Sequence, residues 1–388
     1  MKITALALIV LTSQLSAITI KIDYSYDTNN FFDTQAKKSA IEGVAKFFGD
    51  LIIDNLLRID AAEFPGFSWM ARPFHPATGE LLSIANLIVP EDTIIVYVGA
   101  RNLSGNTRGV GGPGGWSGSG NSTWFDRIEG RGSAGALAEV QTDHSPWGGS
   151  ITFDADSEWN FSETQNQPGV EFINVALHEM AHVLGIGTAA SWDNKITGSI
   201  FSGAAAIRSN GTAPPVDAGG GHFGGNNLVS EVFGSFGRPH GLSRPVLMLA
   251  STTDSGSNFD VASDLDLAAL IDCGWEISPP LILAVTSLRP SAAAFTWNSS
   301  SFLDYKIERG SSLQSFPEGS GIIAGNGTQQ DWTDPAAPIA NTFYRLCATQ
   351  AAGLTAPSAR VAAARGNDHF RTISVPPRFA TGCYDDDH

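Results

Sequence analysis

Hydrophobic and polar positions alternate over residues 18–26 (ITIKIDYSY), and the β-branched content there predicts a strand. Over residues 34–58 the apolar positions Ile41, Val44, Phe47, Phe48, Leu51 and Ile52 return near a helical period, which predicts one or two helices. Residues 93–98 (TIIVYV) have the composition of a buried strand. Residues 99–120 are glycine-rich, lack the lysine of a phosphate-binding loop and precede no helix pattern, so they predict a surface loop near a cleft. Residues 147–154 read as a turn leading into a strand. Residues 260–275 predict a helix, and Asp264 and Asp266 at its start suit a helix dipole better than a calcium loop. Pro279 and Pro280 mark a boundary, beyond which short alternating stretches at 281–288, 292–297, 304–309 and 342–348 predict strands and turns. Residues 366–388 are less patterned and read as a C-terminal tail.

The pattern gains chemistry at residues 171–187, EFINVALHEMAHVLGIG. Phe172, Val175, Ala176 and Val183 give an apolar helical face, Pro168 and Gly169 suit a helix entry, and Gly185 and Gly187 a stop. Within it, His178 and His182 are four residues apart and therefore stack on one side of the helix. They can offer two imidazole nitrogens to one metal ion, and neutral imidazole suits Zn²⁺. Glu179 is turned about 100° from His178, which removes it from direct ligation but leaves it close enough to take a proton from an activated water. The bland reading of HExxH, an amphipathic helix with packed or solvated histidines, lacks the glycine and proline punctuation found here.

A catalytic zinc needs a third protein ligand. The run HEMAHVLGIGT resembles the metzincin metallopeptidases, whose pattern is HExxHxxGxxH. Gly185 stands at that family's glycine, and Thr188 replaces its third histidine. The chain looks like the leishmanolysin-like branch, which carries an insertion before that histidine. The resemblance then implies His222, set among Gly219, Gly220, Gly221, Gly224 and Gly225, as the third ligand; His240 is the competitor, and Glu231 would serve in a gluzincin-type site. Residues 245–250 (PVLMLA) resemble the Met-turn, with Met248 as an apolar floor that does not ligate. The resemblance also implies a five-stranded mixed sheet and an edge strand above the metal that pairs with the substrate backbone. The 147–154 stretch is placed there, with Trp147 as a cleft wall, beside the plainer reading of a structural strand.

Composition narrows the rest. The chain has 388 residues, 42% hydrophobic and 16% charged, enough for two domains with a large core. A net charge of −16 argues against nucleic acid and anionic membranes as partners. Residues 1–17 read as a secretory signal peptide, with Lys2 before a short apolar run. No later stretch is apolar for long enough to span a bilayer. With Cys273, Cys347 and Cys383, one disulfide at most forms, and Cys347 with Cys383 is the conceivable pair.

The expected fold is α+β: signal peptide 1–17, a metzincin-like catalytic domain 18–278 of mixed twisted sheet and helices, a small fibronectin type III-like β-sandwich 279–365, and the tail 366–388. The expected activity is that of a secreted, monomeric zinc endopeptidase. One catalytic Zn²⁺ sits on His178, His182 and His222, Glu179 is the base, and the substrate is a protein or peptide. The second domain is a candidate for binding an extracellular target. The alternatives are the gluzincin-type enzyme and a non-catalytic adhesion or binding protein with a structural zinc closed by four ligands.

Overall fold

The computed structural model describes residues 17–162, 168–225, 228–231, 243–249, 262–279, 281, 283–289, 292–312, 315–337, 342–354 and 370–380. Most of the signal-peptide stretch, His240 and Cys383 lie outside them, and so does the question of a Cys347–Cys383 bond. Cys273 lies in the core and Cys347 at its margin, and among the described residues neither is disulfide-bonded.

Strand Thr19–Asp23 pairs in parallel with Thr93–Arg101, which pairs in parallel with Gly148–Asp154; Gly109–Pro113 closes the sheet antiparallel to the last. Among the described residues the sheet is mixed and has four strands, where five were expected. The segment after Gly114 leaves it, and Gly115–Gly120 pairs instead with Ser68–Arg72 in a second sheet. Gly148–Asp154 is thus an inner strand with all seven residues buried. Trp147 lines no cleft: it is 2% exposed, meets Trp69 edge-on and donates its indole N–H to the Gly115 carbonyl. The edge strand is Gly109–Pro113, in the stretch expected to be a loop.

Helix Gln35–Leu51 starts where Thr34 caps the Lys37 amide, and it buries Ile41, Val44, Phe48 and Leu51. It packs on the first strand and on the helix Phe172–Val183. The latter lies in the core with all twelve residues buried, its aromatic start wedged among Phe31, Phe32, Phe153 and Phe161. The fully buried Arg131 ties four chain segments together by donating to the carbonyls of Leu57, Pro90, Thr93 and Pro146.

Beyond residue 283, Leu283–Arg289, Ala292–Asn298 and Gln329–Asp334 form one antiparallel sheet. Leu303–Gly310 pairs with Phe343–Gln350 and with two short strands in another. Inward residues of the two sheets meet, Phe295 on Tyr344 and Trp297 on Tyr305. The tail is more ordered than its sequence pattern promised. Arg371–Val375 is a strand, and it pairs antiparallel with Gly115–Gly120 of the first half of the chain.

Candidate metal centre

Helix Phe172–Val183 carries His178, Glu179 and His182. It stops because Gly185 and Gly187 adopt left-handed φ of 110° and 72°. Thr188, at the position of the missing histidine, caps this end: its hydroxyl donates to the His182 carbonyl at 2.6 Å. Gly187 serves a second purpose. A Cβ there would run into the backbone of Gly221, so only glycine lets the loop bearing His222 settle against the helix end.

That loop brings the third imidazole in. His182 Nε2 lies 3.1 Å from His178 Nε2 and 3.1 Å from His222 Nε2, and all three rings are fully buried. His178 Nδ1 lies 2.9 Å from the Leu247 carbonyl and His182 Nδ1 2.7 Å from the Ile186 carbonyl. A carbonyl only accepts, so both Nδ1 atoms carry the proton and both Nε2 atoms present a lone pair. Two facing lone pairs cannot bond each other. Burial pulls His178 down to about 3, the neighbouring His222 adding to it, and holds His182 well below its ordinary value, so protons do not fill the gap. The donor set therefore fits a cation. Tetrahedral Zn–N bonds of ~2.0–2.1 Å imply nitrogens about 3.3 Å apart, close to the observed spacing. Among the described residues these three form the one group of His, Cys, Asp or Glu suited to a metal ion.

Glu179 points from the same helix to the edge strand. It is fully buried, and neither carboxylate oxygen has a hydrogen bond of normal geometry among the described residues. Desolvation raises it to about 8, while the Gly111 amide facing it works the other way. A cation beside it would restore the charged form. Side chains on the edge strand would exclude this arrangement. A Cβ on Gly109 would stand 2.7 Å from Glu179 Cγ, and one on Gly111 2.8 Å from Glu179 Cβ.

The support around the histidines comes from two places that the motif does not reveal. Met248 is fully buried, and the segment around it acts through its backbone: Leu247 holds His178, and the Met248 carbonyl accepts from Phe223, next to His222. Asp266 clamps this turn by accepting from the Leu247 and Met248 amides and from Ser263. It also completes a capping box with Ser263, so the dipole reading of this aspartate understated it. Asp217 accepts from the His222 amide, and its carboxylate stands 3.7 Å from the otherwise unpartnered His222 Nδ1. Of the other candidates, Glu231 ends the short strand Val229–Glu231 with its side chain outside the described set, as is all of His240.

Residues 119–197 match the family model of the matrixins, Peptidase_M10. Matrix metalloproteinase-2 of Drosophila melanogaster is 50% identical over 44 residues, which cover 11% of this chain and 6% of that protein. No solved structure matches. The matched residues include His178, Glu179 and His182 and are similar to a matrixin zinc-peptidase segment; His222, the third member of the histidine group, lies beyond them.

Proposed function

We propose that this chain is a zinc-dependent endopeptidase in which His178, His182 and His222 hold one catalytic ion and Glu179 is the general base. One observation carries the reading: three buried imidazoles converge through their Nε2 atoms, and the residue after His178 on the same helix is a buried carboxylate with no hydrogen bond of normal geometry among the described residues. Zn²⁺ held there would act as a Lewis acid on a scissile carbonyl and on the attacking water. Glu179 takes the proton from that water and delivers it to the leaving amine. The Leu247 and Ile186 carbonyls fix two ring orientations, and the packed helix and edge strand keep bulk water from the carboxylate.

The substrate is an unfolded or extended segment of protein. Thr188 in place of the usual histidine, and the arrival of the third imidazole from residue 222, support a leishmanolysin-like insertion within the metzincin plan. The two antiparallel sheets past residue 283 support a fibronectin type III-like module that binds an extracellular target. We assign the catalytic domain to residues 18–278, the module to 279–365, and export to a signal peptide at 1–17. Among the described residues, no helix is long and apolar enough to cross a membrane.

The test is hydrolysis of an unfolded protein by wild type and Glu179→Gln, with bound zinc measured in both. Cleavage by wild type alone, with zinc in both, is the expected outcome; the variant loses roughly 10²–10⁴-fold in rate. Full activity in the variant would remove Glu179 from the reaction. Zinc in both without cleavage by either would favour a latent enzyme or the structural-zinc binding protein instead.

A further inference from the structure

The C-terminal strand does not end its course at the second sheet. Arg371 pairs opposite Gly120 and Val375 opposite Trp116, and the same register continues past the strand: the Arg378 amide donates to the Pro113 carbonyl at 3.2 Å. The segment thereby moves onto the free edge of Gly109–Pro113, the strand that lies on Glu179. Arg378 stands at Pro113, and Arg378 and Phe379 lie over Gly112. Its fit is close: a Cβ on Gly112 would collide with the Arg378 carbonyl and stand 2.7 Å from the Phe379 ring.

Two side chains hold the segment in place. Phe379 stacks on Phe74 with ring centroids 4.6 Å apart. Arg378 reaches the opposite wall, the stretch just after the metal helix, where its guanidinium donates to Asp193 at 2.8 Å and to the Thr188 carbonyl at 3.4 Å. An extended chain on a sheet edge, with alternate side chains in flanking sites, is how a peptide is bound by strand addition. Both charges of the ion pair are half exposed, 51% and 52%, so the latch is weak enough to open.

We propose that residues 376–380 occupy the peptide groove as an internal pseudo-substrate, and that Asp193 with the Thr188 carbonyl is a subsite for a basic side chain. The inference rests on the peptidase reading and names its substrate class: extended segments that present Arg or Lys opposite Pro113. Incoming substrate must displace the strap, so the chain restrains its own activity.

The probe is a fluorescently labelled synthetic peptide of residues 370–380, titrated into the full chain and into Ser374→Pro/Arg378→Ala. Ser374 is exposed on the outermost strand of its sheet, so proline there loosens the pairing without removing core. Freed of an intramolecular competitor, the variant binds the peptide about tenfold more tightly than wild type. Replacing Arg378 of the peptide by alanine weakens binding to the variant, and adding Asp193→Asn abolishes that difference. In turnover of a fluorogenic peptide carrying arginine, the variant lowers KM more than it changes kcat. Equal binding to both proteins, or binding to neither, overturns the strap whether or not the chain cleaves protein. Preferential binding to the variant with no hydrolysis by either form keeps the strap and overturns the peptidase reading.

Discussion

Gly111→Ala is the sharpest probe of how the edge strand and the buried Glu179 carboxylate fit together. The added Cβ would stand 2.8 Å from Glu179 Cβ, 2.9 Å from its carbonyl carbon, and closer still to the carbonyl oxygen. Comfortable carbon–carbon separation is ~3.5–4.0 Å, so the strand must withdraw by about 1 Å or the helix must give. The helix is locked by twelve buried residues, so the strand moves. Overpacking of this kind costs about 1–3 kcal/mol, a fall in melting temperature of about 2–10 °C for a domain of this size. Catalysis suffers more, because a misplacement near 1 Å can cost ~10²-fold. The histidines are untouched, so zinc stays stoichiometric. The assay measures kcat/KM on a fluorogenic peptide, zinc content and thermal unfolding in parallel. Gly321→Ala is the control, since nothing lies within 4 Å of a Cβ there. If Gly111→Ala keeps wild-type kcat/KM and melting temperature, the close approach of strand and glutamate is wrong.

Asp266→Ala leaves the Leu247 and Met248 amides without their acceptor in a buried site; a loss of about 2–4 kcal/mol is expected in urea unfolding, with weakened zinc retention on dialysis. His144 is held down at about 4 by burial against an ordinary 6.5, the Val183 carbonyl opposing this. A depressed histidine contributes stability that is full above pH 6.5 and lost as pH falls through 4, on the order of 3 kcal/mol, so His144→Gln should flatten the acid limb of the stability curve. Chelation removes an ion that binds only the folded chain; it should lower the melting temperature, and zinc at 100 times its dissociation constant should restore about 2.7 kcal/mol.

The approach of His178 to His182 was readable because helical spacing alone sets one over the other. His222 was readable through its glycine neighbours and the family pattern, since no local period joins residues 40 apart in the chain. The edge strand was not. Gly109, Gly111 and Gly112 have poor strand propensity and are present because Glu179 and the C-terminal segment leave no room for side chains. Propensity therefore pointed to a loop where tertiary contact demanded a strand. For Gly148–Asp154 the plainer reading of a structural strand holds and the edge placement implied by the resemblance does not, since its seven residues are all buried between two neighbouring strands. The strand Arg371–Val375 is short and finds its partner some 250 residues away, beyond the reach of any window on the sequence. Asp266 looked like an ordinary helix-start residue because its partners, Leu247 and Met248, lie in another loop.

The helix Asp264–Asp272 also settles how separable the two halves are. Its three aspartates face three different structures. Asp266 grips the turn beneath the histidines, Asp272 accepts from the Ala205 and Ala206 amides of the inserted segment, and Asp264 takes the Ser301 amide and hydroxyl at the foot of the sandwich together with Ser209. Arg208 reinforces the last joint through Ser301 and Asp304. One rigid rod less than three turns long thus links the turn beneath the histidines, the helix Ala204–Asn210 and the antiparallel sheets past residue 283. A module joined this way is a keystone and not a bead on a string. Swapping it for another sandwich would disturb the helix that positions Met248, and a pull on the sandwich would be transmitted to the metal site.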